Sequence, residues 1–146
     1  MRTLAIDFGT RRVGLALSDA GGKLATPYDV LAVSESKQAI EPILRIIKTE
    51  DVRRIVIGLP LNMDGTRGSA AKTVTEFGQS LLSRGAKNVV YVDERLSSFQ
   101  AEQDISVRRR DGEKITRKSK KQRLDALAAA HFLQEFLDGK LAEIEM

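Results

Sequence analysis

Three carboxylates far apart in the chain, Asp7, Glu94 and Asp125, are the residues whose types and positions suggest chemistry. Leu4, Ile6 and Phe8 alternate with Ala5 and Asp7, the period-2 pattern of a half-buried strand. Asp7 therefore shares a face with small Ala5 at the rim of a sheet, where something has room to approach. The plainer reading is an aspartate that ends a strand and begins a turn. Glu94 follows the last predicted strand. Asp125 falls in the middle of an apolar helix face made by Ala128, Ala129, Phe132, Leu133 and Phe136, with His131, Gln134, Glu135 and Asp138 opposite. An ionised carboxylate aimed at a core costs several kcal/mol unless it binds a metal, pairs with Arg or Lys, or reaches water from the helix start.

Strand ends on one edge of an open sheet are where ligands gather. Three acidic groups brought together there repel one another unless cations lie between them. The chain has no cysteine and one histidine, which excludes disulfides, thiolate zinc sites, thiol nucleophiles and histidine-cluster metal sites. Oxygen-only ligands suit Mg²⁺ or Mn²⁺. Two such ions beside a polyanion support in-line phosphoryl transfer, one activating water and the other steadying the leaving oxygen. The residues by themselves thus predict phosphodiester chemistry with hard metals.

The elements that must position these groups can be read in order. Val13, Leu15 and Leu17 alternate with Gly14 and Ala16, giving a second strand after a tight Gly9-Thr10 turn. Gly21-Gly22 marks a turn, and Lys23 to Thr26 is expected to form a third, antiparallel strand before Pro27. Ser36 is a plausible N-cap for a helix carrying Ile40, Ile43, Leu44 and Ile47, with Pro42 expected to kink it or shift its start. Arg54 to Pro60 reads as a central strand covered on both faces, ending in a loop rich in breakers, Pro60 to Thr66. A helix from Gly68 to Arg84, stopped by Gly85, is followed by a strand from Asn88 to Val92. Ser97 or Ser98 then caps a short helix, and the last helix is expected from about Lys121 to Asp138. The order predicts an α/β fold: a mixed five-stranded sheet, three antiparallel strands followed by parallel ones, flanked by helices.

At 146 residues, 42% hydrophobic and 30% charged, the chain is expected to be one soluble domain with a proper core. No apolar run is long enough to span a membrane, and Met1-Arg-Thr leads directly into a strand, so the cytoplasm is expected. The net charge is only +4, yet Arg108 to Arg123 alone carries +7, leaving −3 for the rest. The segment of about 107–121 has no apolar periodicity and is expected to be a mobile basic arm. Concentrated just before the helix of Asp125, its Arg108, Arg109, Arg110, Arg117, Lys118, Lys120 and Lys121 are expected to contact phosphates. No aromatic interrupts the run, so affinity without sequence reading and a steep salt dependence are expected.

The sequence resembles the YqgF/RuvX family of the RNase H-like nuclease superfamily over essentially its whole length. The resemblance is carried by Asp7-x-Gly9-x-x-Arg12-x-Gly14, by Gly58-Leu-Pro-Leu-Asn-Met-Asp-Gly65, by Asp93-Glu-Arg-Leu-Ser97 and by Lys121-x-x-x-Asp125-x-x-Ala128-Ala129. It implies an RNase H-like fold and a metal-dependent nuclease with Asp7, Glu94 and Asp125 as the acidic triad. It further implies processing of the 5′ end of precursor 16S rRNA, or alternatively resolution of Holliday junctions.

Arg12 lies on the face of Gly14 and Ala16, hence on Asp7's side, where it could neutralise the acidic site or hold a phosphate by a forked contact. Asn62, Asp64 and Arg95 lie in loops at the presumed active rim, and Asn62 and Arg95 are candidate substrate contacts, although Asn62-Met-Asp-Gly could equally be turn chemistry. Structured RNA is expected as partner ahead of junction DNA, with the protein a monomer or homodimer, since a resolvase needs two paired sites. A non-catalytic nucleic-acid-binding factor is the alternative from another class.

Overall fold

The computed structural model describes residues 1–9, 11–94 and 117–144, and for 117–123 the backbone alone. The helix expected after Ser97 or Ser98, and residues 107–116 of the basic segment, lie outside the described residues.

The alternating N-terminal residues fold as a meander. Strand β1 (Thr3–Phe8) pairs antiparallel with β2 (Arg12–Ser18), and β2 with β3 (Ala25–Ala32). The third strand does not stop before Pro27 as the sequence suggested. It runs through it, because β3 is the edge of the sheet and the register shifts between Leu15 and Ala16, just where Pro27 pairs with Ala16. Edge strands and bulges are the places where a residue without an N–H is tolerated.

A 3-10 turn, Ser36–Ala39, opens under a capping box between Glu35 and Gln38, so the cap is Glu35 and not Ser36. Helix α1 (Ile40–Thr49) follows. Pro42 falls in its first turn, where the missing N–H is one the helix could not use, and no kink is needed. The apolar run becomes β4 (Arg54–Leu59), parallel to β1. Helix α2 (Ser69–Ser83) ends before Gly85 at φ 113°, and β5 (Val89–Asp93) lies parallel to β4.

Helix α3 (Arg117–Leu137) begins four residues before the expected Lys121. Arg117, Lys118, Lys120 and Lys121 are thus on helical backbone and not on an arm. Apolar periodicity starts only at Leu124, so the pattern could not reveal earlier turns built from Arg and Lys, which are themselves good helix formers. A two-residue strand, β6 (Glu143–Ile144), pairs antiparallel with β5 through Tyr91 opposite Ile144. The sheet therefore has six strands in the order β3-β2-β1-β4-β5-β6, not five; two residues are too few to show an alternation.

Strand periodicity divides the core between the two faces. Leu4, Ile6, Val13, Leu15, Ile55, Ile57 and Leu59 bury against Ile43 of α1 and Val74, Phe77 and Leu81 of α2. The other face is built from small residues, Ala5, Ala16 and Gly14 with Val56 and Val92, and takes Ala129, Phe132 and Leu133 of α3. Full burial of a side chain such as Phe132 contributes about 3 kcal/mol. The side of α3 predicted to face solvent is partly covered. Gln134 accepts a hydrogen bond from the Ala25 N–H at 2.9 Å and donates to the Lys23 carbonyl at 2.9 Å, tying the helix to the start of β3. His131, expected to face solvent, is only 21% exposed and meets the Glu135 carboxylate at 2.6 Å. No helix among the described residues is long and apolar enough to cross a membrane.

Candidate active site

Asp7 sits one residue before the end of β1 and opposite Gly14 of β2, on the face covered by α3. The parallel strands β1, β4 and β5 finish at the same edge, and Glu94 comes immediately after β5. That brings two carboxylates from opposite halves of the chain within hydrogen-bonding reach. The Asp7 carboxyl is pushed up to about 9, most of all by burial, then by the hydrogen bond with Glu94, the charge of Glu94 and the charge of Asp125. At neutral pH the Asp7–Glu94 pair therefore shares a proton that two separate carboxylates would have lost.

Two glycines make this convergence possible. A β-carbon on Gly14 would lie 2.2 Å from the Asp125 carbonyl oxygen, so only glycine lets the backbone of α3 rest directly on β2. A β-carbon on Gly58 would lie 2.9 Å from Oε1 of Glu94 and 3.3 Å from its Cγ and Cδ. Gly58 therefore holds open the space filled by that side chain. Neither role was identified from the sequence. The available signal was a glycine inside an otherwise apolar strand, which marks a close approach.

Asp125 projects toward the same edge, and its charge is felt by Asp7. Its Oδ2 accepts a hydrogen bond from Nε of Arg12 at 2.6 Å, with the two side chains 27% and 36% exposed. Arg12 is on Asp7's side of the sheet, as its register with Gly14 requires. The salt-bridge alternative for Asp125 is thus what the structure contains, but the arginine is a neighbour of the acidic cluster and not remote from it. In this arrangement no group of three or more His, Cys, Asp or Glu among the described residues is placed to hold a metal ion. Asp7 and Glu94 face each other, while Asp125 is turned to Arg12.

The loop after β4 carries hydrogen bonds of its own. Asn62 Nδ2 donates to Thr66 Oγ1 at 3.0 Å, the Thr66 N–H and hydroxyl donate to Asp64 Oδ1 at 3.0 and 2.6 Å, and Gly65 takes φ 86°. A β-carbon on Gly68 would come within 3.1 Å of Asn62 Oδ1. Asn62 thus takes part in the turn, and Met63 stands at the tip, 97% exposed. Arg95, Arg108, Arg109 and Arg110 lie outside the described residues, as do the side chains of Arg117, Lys118, Lys120 and Lys121.

The comparisons with known proteins follow the same lines. The family model described as RuvX, Holliday junction resolvase, matches residues 1–139. A protein of Endomicrobium trichonymphae is 41% identical over 138 residues, covering 94% of this chain and 95% of its own. One from Chloroflexus aurantiacus is 38% identical over 137 residues, covering 94% and 86%. One from Bacillus anthracis is 37% identical over 142 residues, covering 96% and 100%. All three carry the name "Putative pre-16S rRNA nuclease". Among solved structures, Thermus thermophilus RuvC with a Holliday junction substrate superposes with TM-score 0.57 at 17% identity, covering 99% of both chains. Fowlpox virus resolvase with junction DNA gives 0.55 at 11% identity, covering 94% of this chain and 99% of that one. These two establish the fold, which is RNase H-like. With a family model spanning nearly all of the chain and relatives this similar over their own length, this protein belongs to the RuvX family of nucleases.

Proposed function

We propose that this chain is a divalent-metal-dependent endonuclease of the cytoplasm that hydrolyses phosphodiester bonds of structured RNA, trimming the 5′ end of precursor 16S rRNA. The observation that carries the reading is the pairing of half-buried Asp7 with Glu94 at the strand-end edge, with Asp125 close enough to raise Asp7 further. A protonated carboxyl held against a carboxylate is costly to maintain and has no structural purpose that a pair of neutral residues would not serve better. The names of the relatives favour RNA as substrate.

The donor set fits a hard cation: three carboxylates, no sulfur or imidazole. Asp7, Glu94 and Asp125 are the residues that would hold Mg²⁺ or Mn²⁺, two ions with substrate present, and such ions supply charge to polarise the phosphate and lower the pKa of water. The chain's own groups do the rest. With a cation bound, Asp7 and Glu94 would both be held as carboxylates, and the hydrogen bond between them would be given up. Arg12, partly exposed and forked, is suited to a phosphate oxygen. The basic turns at the start of α3 lead the phosphate backbone toward Asp125, which lies about 12 Å further along the helix axis. Arg95, Arg108, Arg109 and Arg110 extend the phosphate contacts on this reading, and Asn62 shapes the rim.

The test compares cleavage of a structured precursor RNA with that of a four-way DNA junction, each with Mg²⁺ or Mn²⁺, by the parent and by Asp7→Asn. Cutting of the RNA, abolished in the variant with binding retained, is the expected result. Preferential cutting of the junction by a dimer would move the assignment to resolvase, the activity in the family's description. Equal cutting by Asp7→Asn would remove the assigned chemistry, and binding without any cutting would leave a nucleic-acid-binding factor.

A further inference from the structure

We propose that Arg12 is an internal counter-ion that competes with the divalent metal for Asp125, releasing it when a substrate phosphate takes the guanidinium. The inference deepens the nuclease reading and rests on it.

Arg12 holds Asp125 through Nε alone, at 2.6 Å. Its remaining N–H groups have no partner among the described residues, and the side chain is 36% exposed. The pair is thus partly exposed, with Nε tied to the carboxylate. A guanidinium binds phosphate best through two parallel N–H groups, so the contact seen here uses the poorer half of its capacity. An ion pair exposed to this degree is worth about 1 kcal/mol or less. That is strong enough to keep Oδ2 of Asp125 on Arg12, and weak enough for a phosphate to displace.

The geometry distinguishes this role from its simplest rival. If Arg12 merely oriented Asp125 toward a metal, removing it would weaken metal binding. If Arg12 competes, removing it frees one carboxylate oxygen and takes a like charge away from the cation, so metal binding tightens. The two readings differ in sign.

Mn²⁺ is titrated calorimetrically, without nucleic acid, into the parent, Arg12→Gln, Arg12→Lys and Asp7→Asn. Arg12→Gln is expected to tighten Mn²⁺ about fivefold and to show a larger Mn²⁺-induced rise in Tm than the parent, with Arg12→Lys between them. The same Arg12→Gln protein is expected to bind a phosphorothioate RNA duplex more weakly. RNA should tighten Mn²⁺ in the parent by a larger factor than in Arg12→Gln, because binding linkage is reciprocal. Should Arg12→Gln destabilise the fold, Arg12→Lys keeps a cation in place and its affinity relative to the parent decides. Equal or weaker Mn²⁺ binding by both Arg12 variants overturns the counter-ion role and leaves the nuclease reading intact. Mn²⁺ binding by the parent that Asp7→Asn does not reduce overturns both.

Discussion

Gly14 lies so close beneath Asp125 that a β-carbon would sit 2.2 Å from the Asp125 carbonyl oxygen and 2.5 Å from its carbonyl carbon. The obstacle is helix backbone, not the end of a flexible side chain. Gly14→Ala must therefore push α3 off β2, separating Ala129 and Leu133 from Ala5 and Ala16. We expect a loss of about 2–4 kcal/mol of stability in urea unfolding together with loss of cleavage. Retention of both would show that α3 can rest on the sheet in another way.

Gly58→Ala should separate site from fold. Its β-carbon would meet Oε1 of Glu94 at 2.9 Å, a mobile carboxylate that can swing aside. Stability is expected to change by less than about 1 kcal/mol, while cleavage falls at least about tenfold because Glu94 no longer faces Asp7. A variant that cuts as fast as the parent would take Glu94's position out of the mechanism.

Asp7→Asn should raise stability as it removes activity, and the gain should depend on pH. An unfolded aspartate loses its proton near 3.9, whereas Asp7 in the folded chain keeps it up to about 9. Between those values the native state binds one proton more than the unfolded state. Metal-free stability therefore falls as pH rises through that window, by at most about 1.4 kcal/mol per unit. In chelator, thermal melts of parent and variant should diverge from about pH 5 to pH 8, the variant ending roughly 1–3 kcal/mol more stable. Parallel curves would mean that Asp7 carries no trapped proton.

Periodicity alone puts Asp7, Asp125 and Arg12 on the faces they occupy, because strand and helix spacings convert directly into direction. The partner of Asp125 was not legible. A carboxylate on an apolar face says that a cation is needed, and metal and guanidinium satisfy that need equally well. The length of β3 and the existence of β6 were hidden for different reasons. Pro27 is tolerated only because β3 proves to be an edge, which is a property of the whole sheet. Glu143 and Ile144 are held by Val92 and Tyr91 of β5, with no local pattern of their own. The glycines were visible as letters but not as spaces, since the atoms that need those spaces come from distant segments.

The start of α3 makes the last prediction. Arg117, Lys118, Lys120 and Lys121 occupy its first two turns, on the same rigid element as Asp125. Cations on a helix that leads to the acidic cluster can guide a phosphate backbone without reading bases. Each phosphate that the helix no longer neutralises should flatten the dependence of log Kd on log salt by about 0.7–0.9. Replacing all four by Gln should thus reduce the slope by as much as about 3.6, weaken RNA binding evenly across unrelated sequences, and leave Mn²⁺ affinity near the parent value. Gln is itself a good helix former, so the helix should persist. Filter binding of two unrelated duplexes across a salt series measures this directly. An unchanged slope would show that the helix start does not touch the backbone.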